Sequence, residues 1–480
     1  MRRARALFAA CALALAAPAG AAAQGGAVPF SNPVIPGNVA DPSVVRADGA
    51  YWAAATSGRW APVFPIFRSR DLVRWRQVAA VFPRPPAWAR GNFWAPGLAV
   101  RRGLWSVYYS ASRARGKPCV AVAQARRPTG PWLDRGFVVC QAVGSIDPAA
   151  VRDAAGRRYL IWKRMGAGSG IYGARLSRSG RRLVSRPVRL VVPNAEWEEG
   201  VTEGPDIVRH GDRYMLVYSG GHCCRPPCTY AVGVARARRV LGPYVKDSAN
   251  PVFRGGNGWK CPGHGTLVRA PGGALTFLHH AYRDDDVLDI HRQALLDPVG
   301  WDAHGWPAFG DGGAPVAAGP ADDDLRLEQR FGGAVLDPGW QWPYDGPPSV
   351  RVGGGLLRVL RGAVSRAWTP RDFSVQARVH GGGRLAVLLT GGRAIAVRCC
   401  LGGEAALVAG GRVVARRAIA AASGLRLNVR AGGAVAAYAR RPRGRWRRVG
   451  APVLAPPGSA VDRVALGPGA FREVRLRPLR

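Results

Sequence analysis

The sequence predicts an all-β protein in which a five-bladed β-propeller is followed by a β-sandwich of jelly-roll type. A short phrase recurs at residues 41, 95, 147, 204 and 264, so one copy returns about every 55 residues. Each copy is followed by a polar turn and a second apolar run, as in antiparallel strands. From residue 326 onward the repeat disappears, but short strands separated by glycine continue, and this pattern is typical of a sandwich.

Residues 1–24 are predicted to be a secretory signal peptide. They begin with Arg2, Arg3 and Arg5, continue with an apolar run, and end in small residues. An uncleaved membrane anchor is the alternative, but the apolar run is short for a membrane span. We therefore expect a secreted protein, located outside the cell or in the cell envelope, with no membrane partner.

The composition is strongly basic, with 69 lysines and arginines against 30 acidic residues and a formal charge of +39. This balance favours acidic polymers and raises the question of nucleic-acid binding. The arginines are spread along both halves without a dense tract. The charge therefore predicts a solvated, arginine-rich surface and no specific nucleic-acid partner.

The chain has nine cysteines, of which Cys11 would leave with the signal peptide. The remaining even number suits an oxidising compartment. Cys119 and Cys140 flank a hairpin-like unit and are predicted to pair, whereas the vicinal pair at 399–400 has no assigned partner. A further cluster beside His222 could bind zinc, although its spacing and the predicted export favour disulfides. That cluster contains Cys223, Cys224, Cys228 and Cys261.

The repeats place the propeller at residues 28–310, and a stretch rich in glycine, proline and aspartate at 311–325 reads as a linker. Residues 326–480 form the predicted sandwich domain. Its predicted strands lie at residues 356–360, 373–379, 385–389, 394–398 and 425–429.

Three repeat copies carry an acid at the start of the predicted innermost strand: Asp41, Asp147 and Glu203. In a propeller these strand starts meet at one mouth of the central channel. Three carboxylates facing one cavity raise the pKa of at least one of them, and acid–base catalysis needs such a separation. Only Glu203 directly precedes the repeated phrase, so it is preferred over three nearby glutamates that are expected in a charged loop. These are Glu196, Glu198 and Glu199.

The propeller portion resembles glycoside hydrolase family 43, whose five-bladed enzymes act on furanosides and xylosides. The five matching phrases follow in family order, at residues 32–34 together with 40–44, and at 93–96, 144–148, 202–205 and 263–265, with a closing block at 295–307. Each phrase alone is weak, but five in order at blade spacing are a strong indication. The tail that begins at residues 336–342 resembles the concanavalin-like sandwich of some family members.

The resemblance implies a role for each acid. Asp41 would be the general base that activates water, and Glu203 the general acid that protonates the leaving oxygen. Asp147 would orient Glu203 and raise its pKa. An inverting reaction needs two carboxyl groups roughly 6.5–9.5 Å apart, and blades on opposite sides of a channel can supply this separation.

Further residues are predicted to bind the substrate. Trp94, next to Phe93, would stack on a sugar face, with a core tryptophan as the alternative. Arg292 would hold substrate hydroxyls or tune a carboxylate, unless it is one more surface arginine. His264 would lie in the channel and either form hydrogen bonds only or help to bind calcium through waters. We expect no required cofactor, with a structural calcium ion in the channel as a possibility.

These expectations combine into a secreted, monomeric, inverting glycoside hydrolase. It would cleave arabinofuranosyl or xylosyl linkages in carbohydrates derived from arabinan, xylan or arabinoxylan. One alternative is a non-catalytic carbohydrate-binding propeller protein, which the presence of all three acids argues against. A retaining fructan- or sucrose-type hydrolase is the other, but Asp41 lacks the extended acidic signature of those enzymes.

Overall fold

The computed structural model describes residues 30–288, 291–317, 326–368 and 372–479, and its regular structure is almost entirely β-strand. Residues 43–309 form five four-stranded antiparallel sheets. Within each sheet, strands that follow one another along the chain are neighbours, so each sheet is one blade. The predicted signal peptide lies outside the described residues.

The first blade contains β1 (Ser43–Ala47), β2 (Ala50–Ala54), β4 (Val63–Ser69) and β5 (Arg76–Phe82), with the short β3 (Trp60–Ala61) between them. The second contains β6 (Trp94–Arg101), β7 (Leu104–Ser112), β8 (Pro118–Ala125) and β9 (Leu133–Val139). The third contains β10 (Ser145–Arg152), β11 (Arg158–Arg164), β12 (Gly170–Arg175) and β13 (Val188–Val191). The fourth contains β14 (Thr202–His210), β15 (Arg213–Gly220), β16 (Ala231–Ala237) and β17 (Val245–Lys246), after a 3-10 helix at Glu196–Glu198. The fifth contains β18 (Trp259–Arg269), β19 (Leu275–Arg283), β20 (Gln293–Trp301) and β21 (Pro307–Phe309).

The five blades close into a ring. Their innermost strands β1, β6, β10, β14 and β18 contact one another in this order, and β18 contacts β1. The segment before β1 completes the closure, because Ile35 bridges Ala294 of the fifth blade. The side chain of Asn32 also accepts the Leu296 amide at 2.9 Å. The predicted five-bladed propeller is confirmed.

The C-terminal region contains a second set of strands and two further 3-10 helices. The strands are β22 (Leu327–Arg330), β23 (Trp342–Pro343), β24 (Ser349–Gly353), β25 (Leu356–Arg361), β26 (Val364–Ala367), β27 (Phe373–Leu389), β28 (Ala394–Cys399), β29 (Glu404–Ala409), β30 (Arg412–Ala418), β31 (Gly424–Val429), β32 (Ala434–Arg440), β33 (Arg447–Arg448), β34 (Val453–Leu454) and β35 (Val461–Pro478). The helices are Thr390–Gly392 and Leu401–Gly403.

Two long strands, β27 and β35, organise this region as a β-sandwich. They pair along most of their lengths, with register shifts around Gly383. The first half of β27 pairs with β31, and its second half pairs with β28. The two halves of β27 therefore belong to different layers of the sandwich. The apolar side chains between the layers form one large core that includes Phe373 and Phe471. The predicted strands at 373–379 and 385–389 are thus two parts of one strand.

The sandwich packs directly against the first blade. Strand β23 pairs with β3, with Trp342 opposite Ala61. The guanidinium of Arg463 lies 3.8 Å from the ring centroid of Trp60, across the domain interface. Between the last propeller strand and the first sandwich strand lies the predicted linker, of which residues 318–325 are outside the described part of the chain. The domain boundaries stay predictions.

All eight cysteines after the predicted signal peptide form disulfides. Cys119 pairs with Cys140 at the edge of the second blade, as predicted. The cluster expected to hold either disulfides or zinc forms two bridges, Cys223–Cys224 and Cys228–Cys261, so its sulfurs are not free to bind metal. The vicinal pair Cys399–Cys400 bonds to itself. Across the described ranges, the structure contains no helix with the length and apolar character of a membrane span.

Candidate active site

The repeated phrase has a structural meaning, because its first residue adopts a left-handed backbone conformation in all five copies. The φ angles are 53° at Asp41, 43° at Ala95, 56° at Asp147, 56° at Gly204 and 42° at His264. In the second to fifth blades, a register shift in the innermost strand occurs at this point. Such bulges re-aim side chains, and left-handed non-glycine residues, at about 1–3 kcal/mol each, concentrate at functional sites.

Asp41 is buried and surrounded by donors. Arg292 Nη1 donates to Oδ1 at 3.1 Å, and Thr56 Oγ1 donates to Oδ2 at 2.5 Å. Burial by itself raises the pKa of Asp41, but Arg292, His264 and His280 together outweigh it and hold the pKa well below the usual 3.8. Asp41 is therefore ionised at neutral pH.

His280 contributes to this pocket as a neutral ring. Its Nδ1 accepts the Asp41 backbone amide at 3.1 Å and lies 3.2 Å from Asp41 Oδ1. Burial lowers the pKa of His280 to about 4, against the opposing effect of Asp41. His264 Nδ1 lies 3.3 Å from the same carboxylate oxygen.

Glu203 lies at the start of β14, with both carboxylate oxygens engaged. Lys163 Nζ donates to Oε2 at 2.5 Å, and the Tyr230 hydroxyl donates to Oε1 at 2.8 Å. Asp147 reaches this group through the backbone, because its Oδ2 accepts the amide of Gly204 at 3.1 Å. Asp147 therefore contacts the residue that follows Glu203.

The two carboxyl groups of this pair differ in pKa. Burial, reinforced by the charges of Glu203 and Asp41, raises the pKa of Asp147 to about 6. Burial also raises the pKa of Glu203, but Lys163 and the Tyr230 hydrogen bond outweigh it, so the pKa of Glu203 is lowered. The net pKa of Glu203 therefore lies below its usual value in the free protein, because Lys163 stabilises the Glu203 anion, and the role given to Asp147 stays a prediction.

His264 lies among the three acids, and its charge acts on the pKa of each of them. Its ring packs on Gly204, where an added Cβ would lie 2.7 Å from His264 Cγ. A calcium ion would need several oxygen ligands. Within the described residues, no group of three or more His, Cys, Asp or Glu side chains is placed to hold a metal. The surroundings of His264 therefore do not fit a directly bound calcium ion, and calcium held through waters stays a prediction.

The two aromatic residues predicted to bind substrate have different environments. Trp94 is half-buried and lines a cavity of about 1560 Å³ between the propeller and the sandwich. Thr56 and Arg292, which both bind Asp41, also line this cavity, so it adjoins the acid cluster. Phe93 is fully buried against the rings of Phe64 and Tyr344. Its assignment as a substrate-binding residue is corrected to a core residue, because its side chain has no exposed surface.

Four side chains that touch the acids were not predicted from the sequence: Thr56, Lys163, Tyr230 and His280. They lie on or beside the second and third strands of their blades, which the repeated phrase does not mark. Lys163 alone had a usable signal, because lysine is rare in this arginine-rich chain.

The glutamate cluster before β14 has a different role from the one expected. Glu198 is buried rather than part of a charged loop. Its carboxylate binds Lys246 Nζ at 2.5 Å and the Tyr218 hydroxyl at 2.8 Å. Glu199 accepts the Thr229 hydroxyl at 2.9 Å. These contacts hold the loop that leads to Glu203.

The site thus holds one carboxylate that stays ionised and a carboxyl pair with separated pKa values. Glycosidic bond cleavage uses carboxyl groups in such complementary states. The fold and the site together define a carboxylate-dependent propeller hydrolase.

The comparison with family models specifies this class. The model of Glycosyl hydrolases family 43 matches residues 30–307. This match includes every blade and all three acids, and it covers more than half of the chain. The chain belongs to family 43 and is a glycoside hydrolase.

Curated relatives agree with this membership. An extracellular exo-α-(1→5)-L-arabinofuranosidase, ArbA, from Cellvibrio japonicus is 29% identical over 56% of this chain and 86% of its own length. A non-reducing end α-L-arabinofuranosidase from Bacteroides ovatus is 26% identical, over 59% of this chain and 54% of its own length. A xylan 1,3-β-xylosidase from a Vibrio species is 26% identical, over 60% of this chain and 58% of its own length. The chain thus matches little more than half of the latter two relatives.

Solved structures share the two-domain fold. The family 43 protein BlXynB from Bacillus licheniformis has a TM-score of 0.77 at 17% identity, covering 94% of this chain and 100% of its own. Xylan β-1,4-xylosidase from Bacillus halodurans has a TM-score of 0.75 at 19% identity, with the same coverage of both chains. These similarities extend beyond the propeller to the C-terminal sandwich.

Proposed function

We propose that this chain is an inverting hydrolase of terminal or internal α-L-arabinofuranosyl or β-xylosyl linkages. The observation that carries the proposal is that the three acids have different pKa shifts. Asp41 is kept ionised mainly by Arg292, whereas burial raises the pKa of Asp147 and Lys163 lowers the pKa of Glu203. An inverting glycosidase needs a charged base for water and a carboxyl group that delivers a proton.

In the proposed reaction, Asp41 takes a proton from water as the water attacks the anomeric carbon. Glu203 gives a proton to the leaving oxygen as the glycosidic bond breaks. Asp41 then releases its proton to solvent, and the pair of Glu203 and Asp147 takes one up. In the free protein the pKa of Asp147 lies above that of Glu203, so Glu203 must take up a proton, from Asp147 or from solvent, before it protonates the leaving oxygen. Two carboxyl groups and water complete this chemistry, so no step passes through a metal or another cofactor.

The substrate class is proposed from the relatives, whose names include arabinofuranosidases acting on (1→5) linkages and xylosidases acting on xylan. Trp94 and Arg292 would contact the sugar, because both line the cavity beside Asp41. Several relatives are named extracellular, which supports secretion of a chain whose eight cysteines in the described residues are all paired. We propose that the protein acts as a monomer.

The test uses Asp41→Asn and Glu203→Gln in the purified protein. Each variant should lose more than about 100-fold in kcat on arabino- or xylo-oligosaccharides, because general acid–base catalysis contributes that much. Circular dichroism should show that the propeller remains folded. Full activity in either variant would reject the assigned roles.

Product stereochemistry and substrate choice complete this test. Proton NMR of the first product should show inverted anomeric configuration, whereas retention would favour a fructan- or sucrose-type hydrolase. A panel of nitrophenyl α-L-arabinofuranoside, nitrophenyl β-D-xyloside, arabinan and xylan identifies the sugar. Binding without hydrolysis across the panel would favour a carbohydrate-binding protein instead.

A further inference from the structure

Tyr230 connects the two halves of the acid cluster. Its hydroxyl donates to Glu203 at 2.8 Å. Its ring lies parallel to the imidazole of His280, with centroids 5.9 Å apart and planes inclined by 5°. His280 in turn accepts the Asp41 amide. One buried aromatic ring therefore lies between the ring that supports Asp41 and the carboxylate of Glu203.

The position of Tyr230 is fixed by the neighbouring blade. The ring packs on the backbone of β18 at Gly263, where an added Cβ would lie 2.5 Å from the Tyr230 ring. The disulfide Cys228–Cys261 links the segment just before Tyr230 to the same strand. Both bridged cysteines are two residues away from the contact they hold, so the disulfide ties the fourth blade to the fifth at this point.

We infer that Tyr230 is a positioning residue for the general acid Glu203, and that the disulfide Cys228–Cys261 holds Tyr230 in place. This inference rests on the proposed function, because it assumes that Glu203 delivers the proton. A phenol can donate only one hydrogen bond, so this contact fixes one carboxylate oxygen and leaves the other toward Lys163.

The contact also affects when Glu203 carries its proton. The groups that face Glu203 are Lys163 from β11, Asp147 from β10, His264 from β18 and Tyr230 itself. Tyr230 stabilises the anion, so loss of its hydroxyl raises the pKa of Glu203. The basic limb of the kcat/KM profile, which reports the acid in the free enzyme, should then move to higher pH.

The decisive variant is Tyr230→Phe, assayed with two leaving groups. Protonation matters more for a sugar alcohol than for nitrophenolate, which leaves readily without a proton. We expect kcat to fall about 10-fold on an oligosaccharide and by clearly less on the nitrophenyl glycoside, since a hydrogen bond to a charged group has about this effect. Equal losses on both substrates, or wild-type kinetics, would overturn the inference.

Tyr218→Phe is the matched control. Tyr218 is also buried in the fourth blade, and its hydroxyl also donates to a glutamate, Glu198, at 2.8 Å. That glutamate lies outside the acid cluster. The control should keep the wild-type ratio of activities on the two substrates and the wild-type basic limb, even where the protein becomes less stable.

The disulfide is tested with the double variant Cys228→Ser and Cys261→Ser. It should reproduce the leaving-group effect of Tyr230→Phe, because the tyrosine loses its anchor. The double variant Cys119→Ser and Cys140→Ser removes a bridge in the second blade and should leave the substrate ratio unchanged. If both double variants behave alike, the anchoring role is rejected, and this comparison holds even where Tyr230→Phe fails to fold.

Failure of this inference can be separated from failure of the proposed function. Activity in Glu203→Gln would reject the proposed function itself. An inactive Glu203→Gln variant together with unaltered kinetics in Tyr230→Phe would reject the role of Tyr230 alone.

Discussion

The two halves of the site contain the same kind of side chain in opposite electrostatic environments. In the base half, the Asp41 carboxylate accepts hydrogen bonds from an arginine and a threonine and lies beside two histidines. Its pKa is held well below 3.8. In the acid half, Asp147 accepts a backbone amide, and burial with the charges of Glu203 and Asp41 outweighs His264 and Lys163, so its pKa rises to about 6. Both aspartates begin an innermost strand with nearly the same left-handed backbone.

The comparison shows that the repeat fixes where an acid lies, while side chains from other strands decide its protonation. Arg292 and His280 reach Asp41 from the fifth blade, which closes the ring next to the first. Glu203 receives its cation from Lys163 in the third blade. The role of each carboxyl group is therefore a property of ring closure, because no single blade supplies it.

Removal of Arg292 should have the largest effect on this contrast. Without the guanidinium, the pKa of Asp41 rises, so the acidic limb of the kcat/KM profile should move to higher pH. We expect Arg292→Gln to lose about 100-fold in kcat/KM at neutral pH, because both the base and its alignment are affected. A pH profile between 4 and 9 provides the measurement.

Arg292→Lys separates the charge effect from substrate contacts. It keeps a cation beside Asp41 but loses the planar fork. The acidic limb should stay close to that of the wild type while KM increases. An acidic limb that moves equally in both variants would show that the charge of Arg292 does not set the pKa of Asp41.

Lys163→Gln should shift the pH profile through the acid half of the site, with a smaller loss of activity than Arg292→Gln. Loss of the ammonium raises the pKa of Glu203 and of the coupled Asp147, so the basic limb should move to higher pH. At the optimum we expect kcat to fall about 10-fold, through loss of one charge-assisted contact. Lys246→Gln is the control, since Lys246 binds Glu198 at the same 2.5 Å outside the site. An unchanged basic limb in Lys163→Gln would contradict this prediction.

The propeller could be predicted because its repeat has a local cause. A left-handed residue in every blade, with a bulge at this point in the second to fifth blades, requires a short phrase at the same place in each repeat. The sandwich was predicted in class but not in detail. Glycines at 381–383 indicate a turn, yet Phe373–Leu389 continues as one strand, because its pairing with Val461–Pro478 carries it between the two layers.

Most of the site was predictable only where chemistry coincides with the repeat, and Arg292, which binds Asp41, was identified from the family resemblance instead. Asp41, Asp147, Glu203 and His264 all lie at that position or directly beside it, and the structure brings them together. Their partners come from strands whose spacing carries no mark, so their convergence depends on tertiary packing. For the same reason the lowered pKa of Glu203 could not be foreseen, because the sequence does not show that Lys163 faces it.

The smallest effect concerns stability. Asp147 binds its proton more tightly in the folded protein than in the unfolded chain. Its pKa is about 6 in the folded protein and near 3.8 in the unfolded chain. Below about pH 4 both states are protonated, so the residue costs nothing; above pH 6 both are ionised, and the folded state is destabilised by up to about 3 kcal/mol. Asp147→Asn cannot ionise, so it should raise Tm at pH 8 by a few degrees, and the gain should vanish toward pH 4.

Asp206 turns this prediction into a test of function against stability. It lies on the same kind of strand, its pKa is also raised to about 6 by burial, and its carboxylate accepts the Leu267 amide at 2.8 Å. Asp206→Asn should therefore show the same pH-dependent gain in Tm while retaining turnover, whereas Asp147→Asn gains stability and loses turnover. Equal gains at pH 4 and pH 8 would show that ionisation is not the cause. If both variants keep their activity, the raised pKa of Asp147 has no role in turnover, and the acid half of the site must work through Glu203 and Lys163 without it.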